Sequence, residues 1–85
     1  MNRVVMVCRD GMDYSGVAFS WAEDFKKRTG REIEILDPDK ETGFCEAYDI
    51  VEYPTILVLD GDGVVLNSWR GTMMPLFDEV IYYML

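Results

Sequence analysis

Few side chains in this sequence can do chemistry, and their types narrow what that chemistry is. There is no histidine. This removes imidazole acid–base catalysis, histidine-containing triads and most zinc sites. The two cysteines, Cys8 and Cys45, stand far apart and form no C-x-x-C pair. They are redox candidates only if the fold brings them together, since a disulfide needs Cα atoms within about 7 Å. The stretch MDYSG, residues 12–16, offers the carboxylate of Asp13 and the hydroxyl of Ser15. Neither histidine nor lysine lies beside them to act as base or electrophile. DPDKETG, residues 37–43, has the acidic look of a calcium loop. However, it places Thr42 where such a loop turns on glycine, and Tyr48 where it closes on glutamate. DGDG at 60–63 reads as a turn. No glycine-rich phosphate loop is present. No cofactor and no metal are expected.

Composition sets the setting for these groups. The chain has 85 residues, 49% of them hydrophobic, which suits one small domain over residues 1–85. Sixteen acidic against eight basic residues give a net charge of −8. That argues against nucleic acid and anionic membrane as partners, because both select basic footprints. No apolar run approaches the roughly 18 residues of a membrane span. VVMV at 4–7 is too short for a signal-peptide core, so it reads as a strand and the protein is expected in the cytoplasm.

The positioning elements follow from periodicity. RVVMVCR, residues 3–9, reads as a buried strand. Ser15 to Arg28 reads as a helix, with Val17, Ala18, Trp21, Ala22 and Phe25 on one face and Gly30 just beyond its end. REIEIL at 31–36 alternates like a strand. A short helix with Phe44, Cys45 and Tyr48 follows, with Asp39 or Thr42 as its N-cap. TILVLD and VVLNSW form a hairpin around GDG at 61–63. The last helix carries Phe77, Val80, Ile81 and Met84 as its apolar stripe, with Thr72 as N-cap and Pro75 in its first turn. The order is β-α-β-α-β-β-α, an α/β chain with a four-stranded, partly parallel sheet and helices on both faces.

Pro54 precedes the most apolar strand, at a position where proline is tolerated. This order, together with YDIVEYPTILVL (residues 48–59) ahead of a glycine hairpin and Gly71 before the final helix, resembles the thioredoxin family. The resemblance covers almost the whole chain in the family's minimal form, without an extra N-terminal strand and helix. It implies that the Tyr53–Pro54 bond is cis; a trans proline simply opening the strand is the alternative. It places the family's two catalytic cysteines at Asp13 and Gly16, and its buried acid at Val7. Asp13 cannot attack a disulfide and Gly16 cannot resolve one, so dithiol exchange is not expected. A carboxylate at a helix N-terminus is favoured where a thiolate would be. The preferred reading of Asp13 is a plain cap on the Ser15 or Gly16 N–H.

The resemblance also implies that three loops converge at one end, bringing together Met12, Asp13, Tyr14, Tyr53, Pro54, Thr72 and Met73. The family docks extended segments there, against the backbone before the cis-proline. The leading expectation is a non-catalytic module that binds a protein or peptide, as a monomer or weak dimer. The patch expected to be partly exposed comprises Trp69, Tyr82, Tyr83, Met84 and Leu85. A thiol-based sensor using Cys8 and Cys45 is the alternative. If Val7 faces the first helix, alternation turns Cys8 toward the middle helix and puts both sulfurs on one side of the sheet. They are then either a reversible disulfide or two buried, reduced thiols.

Overall fold

A computed structural model describes residues 1–84. The elements are β1 (Arg3–Val7), α1 (Ser15–Thr29), β2 (Ile33–Leu36), α2 (Thr42–Ala47), β3 (Thr55–Leu59), β4 (Val65–Arg70) and α3 (Phe77–Tyr82). The sheet runs β2-β1-β3-β4. β1 and β2 are parallel, and β3 pairs antiparallel with both β1 and β4. The order and the mixed four-stranded sheet are those expected from the sequence. β1 and β3 are central, and this explains why RVVMV and TILVL read as near-continuous apolar runs: both faces of each strand are covered.

One core layer lies between the sheet and the α1/α3 pair. Val4, Met6 and Cys8 from the first strand segment and Ile56 and Val58 from β3 meet Ala18, Ala22 and Phe25 of α1 and Val80 of α3. Trp21, Phe25 and Phe77 close this layer as three mutually packed rings, with centroids 5.2 to 5.6 Å apart. The opposite face carries Val5, Val7, Leu57 and Leu59 against Cys45 of α2 and Ile50.

This layering corrects the expected facing of β1. Cys8 packs toward α1, whereas Val7 packs toward α2. The two thiols are free, buried and on opposite sides of the sheet. A shift of one residue exchanges every side chain between faces, and a strand covered on both sides shows no polar alternation to fix the parity. Val17 is a second correction: it is 54% exposed, and the core face of α1 is narrower than the periodicity suggests.

Helix starts differ in two places. The residue before α2 is Glu41, without a side-chain cap. Asp39 is turned to Arg9 instead, and Thr42 is already helical. α3 begins only after Leu76, with the Glu79 carboxylate accepting from the Leu76 N–H at 3.2 Å. Thr72 and Pro75 therefore belong to the preceding loop. Of the patch expected at the chain end, Tyr82 is exposed and Trp69, Tyr83 and Met84 are half-buried; Leu85 lies outside the described residues.

Candidate functional site

The loop after β1 is fastened by Ser15. The Met12 N–H donates to Ser15 Oγ at 3.0 Å, and the Ser15 hydroxyl donates to the Arg9 carbonyl. Ser15 is 6% exposed, so one buried hydroxyl closes the loop on itself. The residue before α1 is Tyr14, with no side-chain cap, and Asp13 is exposed. The expectation that Asp13 caps the Ser15 or Gly16 N–H is therefore corrected: serine holds the loop and leaves the carboxylate in solvent.

The second loop carries Tyr53 and Pro54, joined by a cis peptide bond. Pro54 is buried and Tyr53 half-buried. The Thr55 hydroxyl donates to the Glu52 carbonyl and tightens the bend. Among the described residues, neither the N–H nor the C=O of Tyr53 has a backbone hydrogen-bond partner. That leaves a short open edge of main chain beside the proline.

The third loop runs from Gly71 to Leu76. Gly71 has φ of 91° and donates its N–H to the Pro54 carbonyl at 2.9 Å. A Cβ at Gly71 would lie 3.1 Å from the Glu52 carboxylate. The left-handed backbone and the close approach both call for glycine. The far end of this loop is held by Trp21, whose indole N–H donates to the Pro75 carbonyl at 2.9 Å. Between these anchors Thr72 is exposed and Met73 is 91% exposed, while Met74 turns into the core.

Arg9 links the first two loops, and the sequence reading passed over it. Its guanidinium lies 4.6 Å from the centroid of the Tyr53 ring. The same group forks onto Asp39, with Nε–Oδ2 at 3.1 Å and Nη2–Oδ1 at 2.9 Å. The hydrogen bond from Arg9 holds the Asp39 carboxyl below its usual range, and the Arg9 guanidinium is correspondingly raised above its own. The available signal was a basic residue two positions beyond the end of β1. Its partner stands thirty positions on, and no local pattern reports that distance.

Tyr14 completes the surface. Its ring packs against the α1/α3 layer, and its hydroxyl oxygen is buried without a hydrogen-bond partner among the described residues. Met12 is 48% exposed on the same loop. The sequence-derived set thus divides. The two stated contacts, Arg9 on Tyr53 and Gly71 on Pro54, tie the three loops together; Met12, Asp13, Thr72 and Met73 are their exposed members, with Tyr14 and Tyr53 partly covered.

Neither cysteine belongs to this surface as a free nucleophile. Burial pushes the Cys8 thiol up, and the nearby Asp10 carboxylate adds to the shift. Burial likewise raises Cys45. Both stay protonated at neutral pH and lack the thiolate that attack requires. Among the described residues no cluster of acidic or cysteine side chains could hold a metal ion, and no helix is long and apolar enough to cross a membrane.

No family model matches the chain, and no curated protein matches it. Its architecture is nevertheless shared with solved structures. Oxidised thioredoxin from Plasmodium falciparum superposes with a TM-score of 0.76 over 98% of this chain and 80% of that one, at 17% identity. Thioredoxin 1 from Thermosipho africanus gives 0.72 over 96% and 89%, at 15% identity. Mitochondrial thioredoxin 3 from Saccharomyces cerevisiae gives 0.74 over 95% and 74%, at 10% identity. Identities this low speak to the fold alone, and with the observed strand order and loop arrangement they lead to one conclusion: the chain has a thioredoxin-like fold.

Proposed function

We propose that this protein is a non-catalytic binding module that docks an extended peptide segment of a partner protein across the loops carrying Met12, Asp13, Tyr14, Tyr53, Pro54, Thr72 and Met73. The observation that carries the reading is the open main-chain edge at Tyr53, flanked by exposed methionines and lacking a thiol. Among the described residues the Tyr53 N–H and C=O have no backbone partner, and Met12 and Met73 stand exposed on the neighbouring loops. An extended segment satisfies such an edge through its own backbone, and side-chain pockets add selectivity. Methionine is unbranched and polarizable, which suits a surface that adapts to its ligand.

Dithiol exchange gains no support from the same site. Asp13 and Gly16 occupy the positions where the resembling family carries cysteines. The sheet separates Cys8 from Cys45, so an internal disulfide would require β1 to turn over. The reading takes the protein as a monomer or weak dimer.

Selection of a random peptide library displayed on phage tests the proposal. Selected sequences should bind the wild-type protein, and Met73→Asp or Tyr53→Ala should weaken that binding about tenfold or more, the scale of one interface anchor. Selected peptides that bind both variants as tightly as wild type would overturn the reading.

A further inference from the structure

A second surface lies away from those loops, where the free edge of the sheet meets α3. We infer that the groove between β4 and α3 is a receptor for a cationic side chain, lysine or arginine, carried by an extended basic segment of a partner protein. The groove has a volume of about 380 Å³ and is lined by Asn67, Trp69, Asp78, Glu79, Tyr82 and Tyr83. Asn67 and Trp69 stand opposite Val58 and Ile56 in the β3–β4 register, so they share the α1/α3 side of the sheet. Arg70 is the next residue along β4 and alternates to the other face.

The three rings are set at steep angles. Trp69 and Tyr83 meet at 65° with centroids 5.9 Å apart, and Tyr82 and Tyr83 meet at 83° with centroids 5.0 Å apart. Tyr83 is held in place through its carbonyl, which accepts from the Asn2 side-chain amide at 2.7 Å. Each ring of a T-shaped pair keeps at least one face uncovered by its neighbour, and a face turned to the groove attracts a cation. Among the described residues the cation–ring contacts are Arg9 on Tyr53 and Arg28 on Phe77, so no cation of the chain occupies this groove. Asp78 and Glu79 add carboxylates on the rim, and Asp78 is exposed.

The neighbouring backbone indicates the form in which the cation arrives. β4 pairs with β3 only and ends the sheet, leaving its outer edge for strand addition. Val65 and Leu66 are exposed at its start. A chain of net charge −8 repels a second copy of itself and attracts a basic segment. Aromatic walls, acidic rim and open edge therefore select the same occupant.

The test is a titration of the whole protein with a synthetic peptide of alternating threonine and lysine, followed by NMR. The indole N–H of Trp69 should shift while that of Trp21 and the methyls of Met12 and Met73 stay still. Replacing lysine by norleucine should weaken binding about threefold to tenfold, as should Tyr82→Ala or Asp78→Asn, and trimethyl-lysine should bind no more weakly than lysine. The sheet amides report that each variant remains folded. Equal binding of the norleucine peptide would overturn the inference. So would loss of binding with trimethyl-lysine, or shifts spread over acidic residues elsewhere. A concentration-dependent Trp69 shift without peptide, with a sedimentation mass of two chains, would assign the groove to a second copy and overturn it as well.

Discussion

At the residue scale, Ser15 and Arg9 fasten the loops of the candidate site. The serine hydroxyl closes the first loop through two hydrogen bonds in a buried setting. Removing it leaves the Met12 N–H and the Arg9 carbonyl without that partner, and such groups cost about 1–3 kcal/mol each when buried. Ser15→Ala should therefore destabilise the fold by about 1–3 kcal/mol in urea unfolding. The amides of residues 9–14 should also exchange faster, while the sheet keeps its protection; a variant with unchanged stability and unchanged loop exchange would contradict this role. The Arg9–Asp39 pair makes a different prediction. Asp39 has a depressed pKa in the folded state, so its stabilisation is complete above the unfolded value of about 3.9. It is lost as pH falls through the lower folded value. The stability difference between wild type and Asp39→Asn should be constant above pH about 5 and shrink toward acid. Asp39 is exposed and Arg9 half-buried, so the difference is small and paired measurements on both proteins are the way to see it. A difference that stays constant into strong acid would show that the carboxylate is not the source.

The elements were largely legible because their boundaries carry chemistry. Gly30 ends α1 in the left-handed region, with its N–H on the Lys26 carbonyl, after a basic last turn. The β3–β4 turn is equally explicit: the Asp60 carboxylate accepts from the N–H groups of Asp62 and Val64, and Gly63 takes φ of 82°. Tyr48 at the end of α2 donates to the Gly63 carbonyl at 2.7 Å, fastening helix to hairpin. A Cβ on Gly63 would meet that hydroxyl at 3.1 Å and would strain the backbone. Gly63→Ala should cost about 1–2 kcal/mol from backbone conformation alone, and more when Tyr48 must give way. In Tyr48→Phe the added cost should fall, because the crowded oxygen is gone; an equal cost in both backgrounds would show that the contact is not the source. The start of α3 was not legible. Thr72 and Pro75 carry the right residue types for a helix entry, but Gly71 on Pro54 and Trp21 on Pro75 hold that segment as a loop. Those are long-range bonds, and local patterns do not report them.

At the scale of the whole molecule, the sheet divides the two thiols. The sequence placed Cys8 and Cys45 on one face because Val7 was matched by spacing to a position aimed at α1. β1 is buried on both sides, so polarity offered no check on that parity. The layers reverse it and leave each sulfur in a separate core cluster. Native protein under mild peroxide should therefore form no internal disulfide, and both cysteines should react with a thiol reagent far more slowly than in denaturant. Rapid native labelling, or a mass loss of two hydrogens with protected thiols, would contradict the layering. The residues of the proposed docking surface could be named from the sequence, but their fastening could not. Met12, Tyr53, Pro54 and Met73 could be named from the resemblance, whereas Arg9 stacked on Tyr53 came only from the structure. The central claim is that this surface binds an extended segment. With methionine methyls labelled, the most direct measurement is an NMR titration with a peptide selected for binding. The account predicts that Met12 and Met73 shift together and saturate at one ligand, while buried Met6 does not move. A selected peptide that binds and leaves Met12 and Met73 unmoved would contradict it.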